Sequence, residues 1–426
     1  MTAAYDSIFT VHFLLNSGKK GDLLYTDYMT HQRNNRRNFL RMGFHGAALF
    51  AGGGLLRFQQ AVAAGLDSSA FYSLSNLGPL LEPDANGLKL PKGFKSRVIA
   101  RSGEAPAGLS GYTWHSAPDG GATFPADDGG WVYVSNSEMR NSAGGVGAIR
   151  FDAQGDVVDA YQILKNTSVN CAGGPTPWGT WLSCEETPSG QVYECDPMGG
   201  NQSELRSALG AFRHEAVAVD SENQCLYLTE DHPEGGFYRF RPDYPLPDLT
   251  RGQLEIALVL KKNGRSFIDW LAVPDPLAKT EETRLQVPAH TIFKGGEGIG
   301  LYDGRAYFTT KHDNRVWVYH TNTQEIEVLY DVETSDNPIL TGVDNVVITA
   351  TGDVLIAEDR GDMQIVVLSD EGSVAPLLQV MGQEQSEITG PAFDPSYQRL
   401  YFSSQRGSSG ESSGGITYEV SRNDLD

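Results

Sequence analysis

The residues best equipped for chemistry in this chain are a thiol and two adjacent carboxylates at opposite ends of one short segment. It runs Asn170-Cys171-Ala172-Gly173-Gly174, passes through Trp178-Gly179-Thr180-Trp181-Leu182, and ends at Cys184-Glu185-Glu186. Burying a charge without a partner is costly, so such carboxylates are solvated, ion-paired or bound to metal. Thiolate prefers softer or transition metals, whereas carboxylate suits hard cations. The combination predicts one arm of a metal-lined site, with the other arms supplied from elsewhere in the chain. The alternative for Cys171 is a small buried thiol that packs as a hydrophobe.

Other arms emerge because the chain repeats itself. One unit runs His214–Asp220, turns, continues Cys225–Asp231 and ends Gly236–Phe240; the next runs Glu297–Leu301, Ala306–Lys311 and Arg315–Tyr319. Two more follow: Val343–Ile348, Val354–Asp359, Gln364–Leu368, then Gly390–Asp394, Leu400–Arg406, Gly415–Val420. Two earlier copies are Ala122–Asp152 and the cysteine-bearing segment itself. Each unit holds three short strands joined by turn residues, and the longer connections could carry a fourth. Six such units predict an all-β fold, a six-bladed β-propeller with irregular insertions between blades, one of them in Thr250–His290. A β-sandwich is the alternative, but sandwiches rarely repeat one strand–turn–strand theme so often.

Placing the units in register gathers the chemistry. Their first strands open on Cys171, Glu215, Glu297 and Asp344. Their middle strands end at Ser137-Glu138, Glu185-Glu186, Glu230-Asp231, Lys311-His312-Asp313, Glu358-Asp359 and Gln405-Arg406. Inner strands of a propeller begin near the axis, so the opening residues should ring one mouth of the central channel. Adjacent strand residues point to opposite faces. At most one member of each pair is then a metal ligand, the other binding a backbone amide or an arginine. Which rim the pairs occupy depends on strand direction. Solvated turns are the competing explanation for any one pair. Cys184 and Cys195 could pair in an oxidising compartment, and Cys225 reads as strand core. No Cys-x-x-Cys spacing or phosphate-binding glycine loop occurs.

Bulk properties narrow the partners. Against 33 basic residues stand 54 acidic ones, a net charge of −21, which argues against nucleic acid and anionic membrane surfaces. An anionic substrate is still possible where bound cations reverse the local field. The N-terminal segment has a different character. Arg36-Arg37-Asn38-Phe39-Leu40, the glycine-rich apolar run Gly43–Leu56 and Ala61-Val62-Ala63 have the layout of a twin-arginine export signal. Residues 1–64 are expected to be an upstream extension plus this signal, with translation starting at Met29 and the mature chain near Ala64. The apolar run is too short and glycine-rich for a stable membrane span. Residues 65–426 are expected to form the single propeller domain.

The segment Asn170–Glu186, the runs His214–Asp220 and Thr229–Phe240, Glu297–Trp317 and Asp344–Asp362 resemble the PhoX family of secreted alkaline phosphatases. The resemblance implies a propeller carrying ferric iron (Fe3+) and calcium (Ca2+) bridged by an oxo group, and hydrolysis of phosphomonoesters outside the cytoplasm. It implies Cys171 as a thiolate ligand to iron, with Glu215 and Glu297 among the metal ligands. Glu138, Glu185, Glu358 and Asp359, with Asp344 from the register, would hold the remaining ions. Arg406, Lys311 and Arg360 would stabilise the phosphate oxygens, unless they serve as ion pairs to neighbouring carboxylates. The chain departs from the family by its shortness and by Ser135-Asn136-Ser137 preceding Glu138, where a histidine is expected. A monomer in the periplasm or medium, acting on a small phosphorylated substrate and exported by the twin-arginine machinery, is the implied setting. A calcium-dependent lactonase-type hydrolase and a non-enzymatic calcium-binding propeller are the alternatives.

Overall fold

A computed structural model of the protein describes Leu74 and residues 77–423, apart from positions 110, 370 and 371. The twin-arginine segment, Met29 and the Ala61-Val62-Ala63 pattern lie outside the described residues. Among those residues the regular elements are β-strands, linked by short 3-10 turns.

Antiparallel meanders are arranged around an axis. Their inner strands are Pro118–Pro125, Asn170–Pro175, His214–Asp220, Gly296–Tyr302, Val343–Ile348 and Ile388–Phe393. Each packs against the next, and the last returns to the first, closing a ring of six inner strands. This is a propeller-like, all-β arrangement. Hydrogen bonding groups the strands into five sheets, because one nine-stranded sheet joins two meanders. The joint is the extra strand Arg265–Ala272, which pairs Ser266 with Ile326 and Phe267 with Glu325. It occupies the expected insertion. The final meander takes its outer strand from the N-terminal side, Phe94–Arg101, paired from Phe94↔Arg422 to Arg101↔Ile416.

The middle strands are apolar without alternation because sheets cover both of their faces. Trp131–Ser137 and Cys225–Glu230 are buried at every position. Aromatic side chains fill the wedge between neighbouring sheets. Phe237 and Phe308 stack at 4.4 Å between the third and fourth meanders, and Trp131 stacks on Phe151 at 5.4 Å beside Tyr401. Truncating Phe237 to alanine would cost roughly 3–5 kcal/mol. Near the axis the strands come too close for side chains. A Cβ on Gly120 would lie 2.4 Å from the Ala172 Cα, and one on Gly298 would lie 2.4 Å from the Val346 nitrogen.

The suggested Cys184–Cys195 pairing does not form; the cysteines are free. Cys184 pairs across the ladder with Val192 and Cys195 with Trp181, an offset of three residues that puts the thiols on opposite faces. Accordingly Cys184 packs with Leu182 and Phe212, and Cys195 with Trp181 and Val134.

Candidate metal centre

The ladder between inner and middle strands breaks close to its opening in every meander, after one residue pair in the first five and after two in the last. The shifts fall at Pro118/Gly121, Asn170/Gly173, His214/Val217, Gly296/Ile299, Val343/Val346 and Thr389/Ala392. Such bulges re-aim side chains next to functional sites. In the first five inner strands the second residue lies in this break: Asp119, Cys171, Glu215, Glu297 and Asp344; in the last, Thr389 still pairs with Ser403 and Gly390 lies in the break. Neighbouring blades pin the irregular backbone. Asn136 Nδ2 donates to the Cys171 carbonyl at 3.0 Å, Thr229 Oγ1 to that of Glu297 at 2.5 Å, and Thr309 Oγ1 to that of Asp344 at 2.6 Å.

A second tier stands at the same mouth. Ser137, Glu185, Glu230, Thr310, Glu358 and Ser404 each pair with the first residue of an inner strand. The residues that follow them, Glu138, Glu186, Asp231, Lys311, Asp359 and Gln405, donate their N–H to the chain just before that strand. The acceptors are the carbonyls of Ala117, Val169, Arg213, Gly295, Gly342 and Glu387. Strand direction thus places the pairs at the rim where the inner strands open.

Within the pairs the two members diverge. Glu185 accepts from the Ser168 N–H at 2.9 Å, and Glu358 from the N–H groups of Thr341 and Gln364 at 3.0 Å each. Glu230 accepts from Gly236 N–H, the Tyr238 hydroxyl and Arg284. These carboxylates cap backbone, as one member of each pair was expected to do. Neither Glu185 nor Glu358 belongs to a group of ligating atoms; Glu186 does.

Two groups of ligating atoms form among the described residues, each within 4.8 Å: Cys171, Glu186 and Glu215, and Glu215, Glu297 and Asp344. Glu215 is common to both. Its two carboxylate oxygens are buried and make no hydrogen bond. Beside the first group, the Cys171 thiol lies 3.8 Å from Asp119 Oδ2, and Gln405 Nε2 bridges Asp119 at 2.6 Å and Glu138 at 2.9 Å.

Burial is the largest cause of the perturbed protonation here. It holds Asp119, Cys171, Glu215 and Glu297 well above their ordinary ranges and pushes Glu186 and Asp344 up to about 7. Neighbouring carboxylates add to it: Glu138 at Asp119, Asp344 at Glu215, Asp231 at Glu186. Lys311 opposes it at Glu297 and Asp344. Acids so crowded ionise together only if cations of higher charge sit among them. The donors fit such ions: a thiolate with two carboxylates suits a transition metal, and the all-oxygen group suits calcium.

The three candidate cations separate. Lys311 Nζ lies 2.8 Å from Glu297 Oε1, and Arg406 is held by Glu387 at 2.7 Å and Glu138 at 3.9 Å. Arg360 is 80% exposed and reaches only Asp359, at 3.7 Å, so it is not brought into the centre. Asp119, Asp231, Glu387 and Glu186, the last beside the expected Glu185, are not among the site residues expected from the sequence. Pro118-Asp119-Gly120-Gly121 has turn composition, which hid Asp119. Position in the repeat could have found Glu186 and Asp231, since both align with Glu138 and Asp359.

The family model for alkaline phosphatase PhoX matches residues 128–194 and 188–300. Those residues carry Glu138, Cys171, Glu186, Glu215 and Glu297. Over residues 128–300 the chain is PhoX-like. The structure of Pseudomonas fluorescens PhoX in complex with vanadate, a transition state analogue, superposes with a TM-score of 0.67 at 16% identity. That superposition covers 82% of this chain and 98% of the other. A Bacteroides thetaiotaomicron protein of unknown function reaches a TM-score of 0.48 at 11% identity, covering 81% of this chain and 83% of its own. No curated protein sequence matches the chain. Family match and shared fold together support a phosphoric monoester hydrolase. No helix among the described residues is long and apolar enough to cross a membrane.

Proposed function

We propose that the protein is an extracytoplasmic phosphomonoesterase working through Fe3+ and Ca2+ held at the mouth of the inner-strand ring. Cys171, Glu186 and Glu215 would hold the iron, and Glu215, Glu297 and Asp344 the calcium. The observation that carries this reading is Glu215, a buried carboxylate without hydrogen bonds that is shared by both ligand groups. A shared carboxylate is the natural bridge between two neighbouring cations. When bound, such ions neutralise phosphate charge and lower the pKa of water at neutral pH.

The chain's own groups do the rest. Glu138 and Asp119 would complete the iron side, with Gln405 fixing both carboxylates. Asp359 would serve the calcium side. Arg406, 29% exposed and oriented by Glu387, would clamp two phosphate oxygens with its planar fork. It stands in the last meander, where the neutral amide of Gln405 brings no negative charge to repel an anion. The twin arginines at Arg36-Arg37 support export in the folded, metal-loaded state, and a monomer is expected.

The test is hydrolysis of p-nitrophenyl phosphate by protein purified from its own host. Activity abolished by chelation, restored by iron with calcium and inhibited by vanadate would support the reading. Chelator-resistant hydrolysis, or none with both metals bound, would contradict it.

A further inference from the structure

One member of the second tier reverses the sign of its neighbours. At the position of Lys311 the other meanders carry Glu138, Glu186, Asp231, Asp359 and Gln405, every one an oxygen donor. The Lys311 ammonium lies 2.8 Å from Glu297 Oε1, 3.7 Å from Asp231 Oδ2 and 3.6 Å from Asp359 Oδ2. These three carboxylates come from three successive meanders, so the ammonium sits where the sheets converge. Glu297 is 1% exposed, and its Oε1 faces the ammonium outside hydrogen-bond geometry. Asp359 Oδ1 is likewise buried without a hydrogen bond.

This is the outline of a cation site already filled by a side chain. Calcium takes six to eight oxygens from scattered loops at about 2.3–2.6 Å. An ammonium brings one charge and three donors, and it cannot gather oxygens as closely. We infer that Lys311 is a built-in substitute for a metal ion, filling the corner between Asp231, Glu297 and Asp359 and limiting how many ions the centre holds. Its role is then to set metal number and to hold Glu297 in place, ahead of any contact with phosphate. The inference rests on the metal-centre reading above.

Counting ions tests it, by elemental analysis and calcium titration of the full chain. Lys311→Gln is expected to bind about one calcium ion more than the wild type, and Lys311→Arg the wild-type number. A Lys311→Gln chain that loads the same number of ions as a metal-loaded wild type overturns the inference and leaves the metal centre standing. A wild type that binds no metal, with Lys311→Gln also binding none, overturns both. Should Lys311→Gln unfold in chelator, refolding on addition of calcium alone supports the inference. Failure of calcium to refold it, while Lys311→Arg folds normally, overturns it.

Discussion

Glu215 and Glu230 are both fully buried, lie on neighbouring strands of one meander and differ in every contact that matters. Glu230 accepts from a backbone amide, from Tyr238 and from Arg284 at 3.2 Å, while Glu215 accepts from nothing. The first is an acid the fold has satisfied. The second is one the fold has placed and left open. Burial alone therefore does not distinguish a structural carboxylate from a ligand; the account of its hydrogen bonds does. The same contrast separates Glu358, whose oxygens meet the Thr341 and Gln364 amides, from its neighbour Asp359, whose Oδ1 accepts no hydrogen bond.

Substitution should pull the two classes apart. Glu215→Gln is expected to lower phosphatase activity at least on the order of 10²–10³-fold and to strip metal from the centre. Chelated Glu215→Gln should nevertheless unfold no earlier than chelated wild type, since a neutral amide replaces an acid without partners. Glu230→Ala should do the reverse. Denaturant unfolding is expected to show a loss of about 1–3 kcal/mol, because the Gly236 amide and the Tyr238 hydroxyl lose their buried acceptor and Arg284 keeps Glu282 as its ion-pair partner, while folded protein still binds metal. Equal destabilisation by both substitutions would erase the distinction.

The pH dependence of stability sharpens it further. Glu186 and Asp344 rise to about 7 in the folded chain from ordinary values of 4.5 and 3.8. Between those limits the folded chain holds more protons than the unfolded one, so chelated protein should lose stability as pH rises from about 4 to about 7. The loss is on the order of 3 kcal/mol for Glu186 alone. Calcium and iron should flatten this slope, which denaturation midpoints across pH would record. The smallest effect belongs to Arg360→Ala. Its exposed side chain predicts a stability change within roughly 0.5 kcal/mol and unchanged turnover.

Much of this architecture is legible in the chain because the repeat is. The strand–turn–strand units place Cys171, Glu215, Glu297 and Asp344 at equivalent positions, and the structure gathers them at one mouth. What the repeat cannot convey is direction. Glu185 and Glu186 are equal candidates on paper, and only the ladder, with Glu185 paired to Asn170, turns Glu186 toward the axis. Asp119 is hidden by its glycines, whose absence of side chains is what lets the first two inner strands meet. The closing strand Phe94–Arg101 is invisible to a search for units read in chain order, since its partners lie more than three hundred residues away. The offset of Cys184 from Cys195 is likewise a property of register, which spacing alone does not reveal.

The central claim is that Glu215 is shared by two unlike cations. Anomalous X-ray scattering from crystals of the natively purified protein, measured at and below the iron edge, tests it most directly. The account predicts an iron peak among Cys171, Glu186 and Glu215, and a second, non-iron peak among Glu215, Glu297 and Asp344. An ordered centre with neither ion contacting Glu215, or with a hydrogen-bond donor in their place, would contradict it.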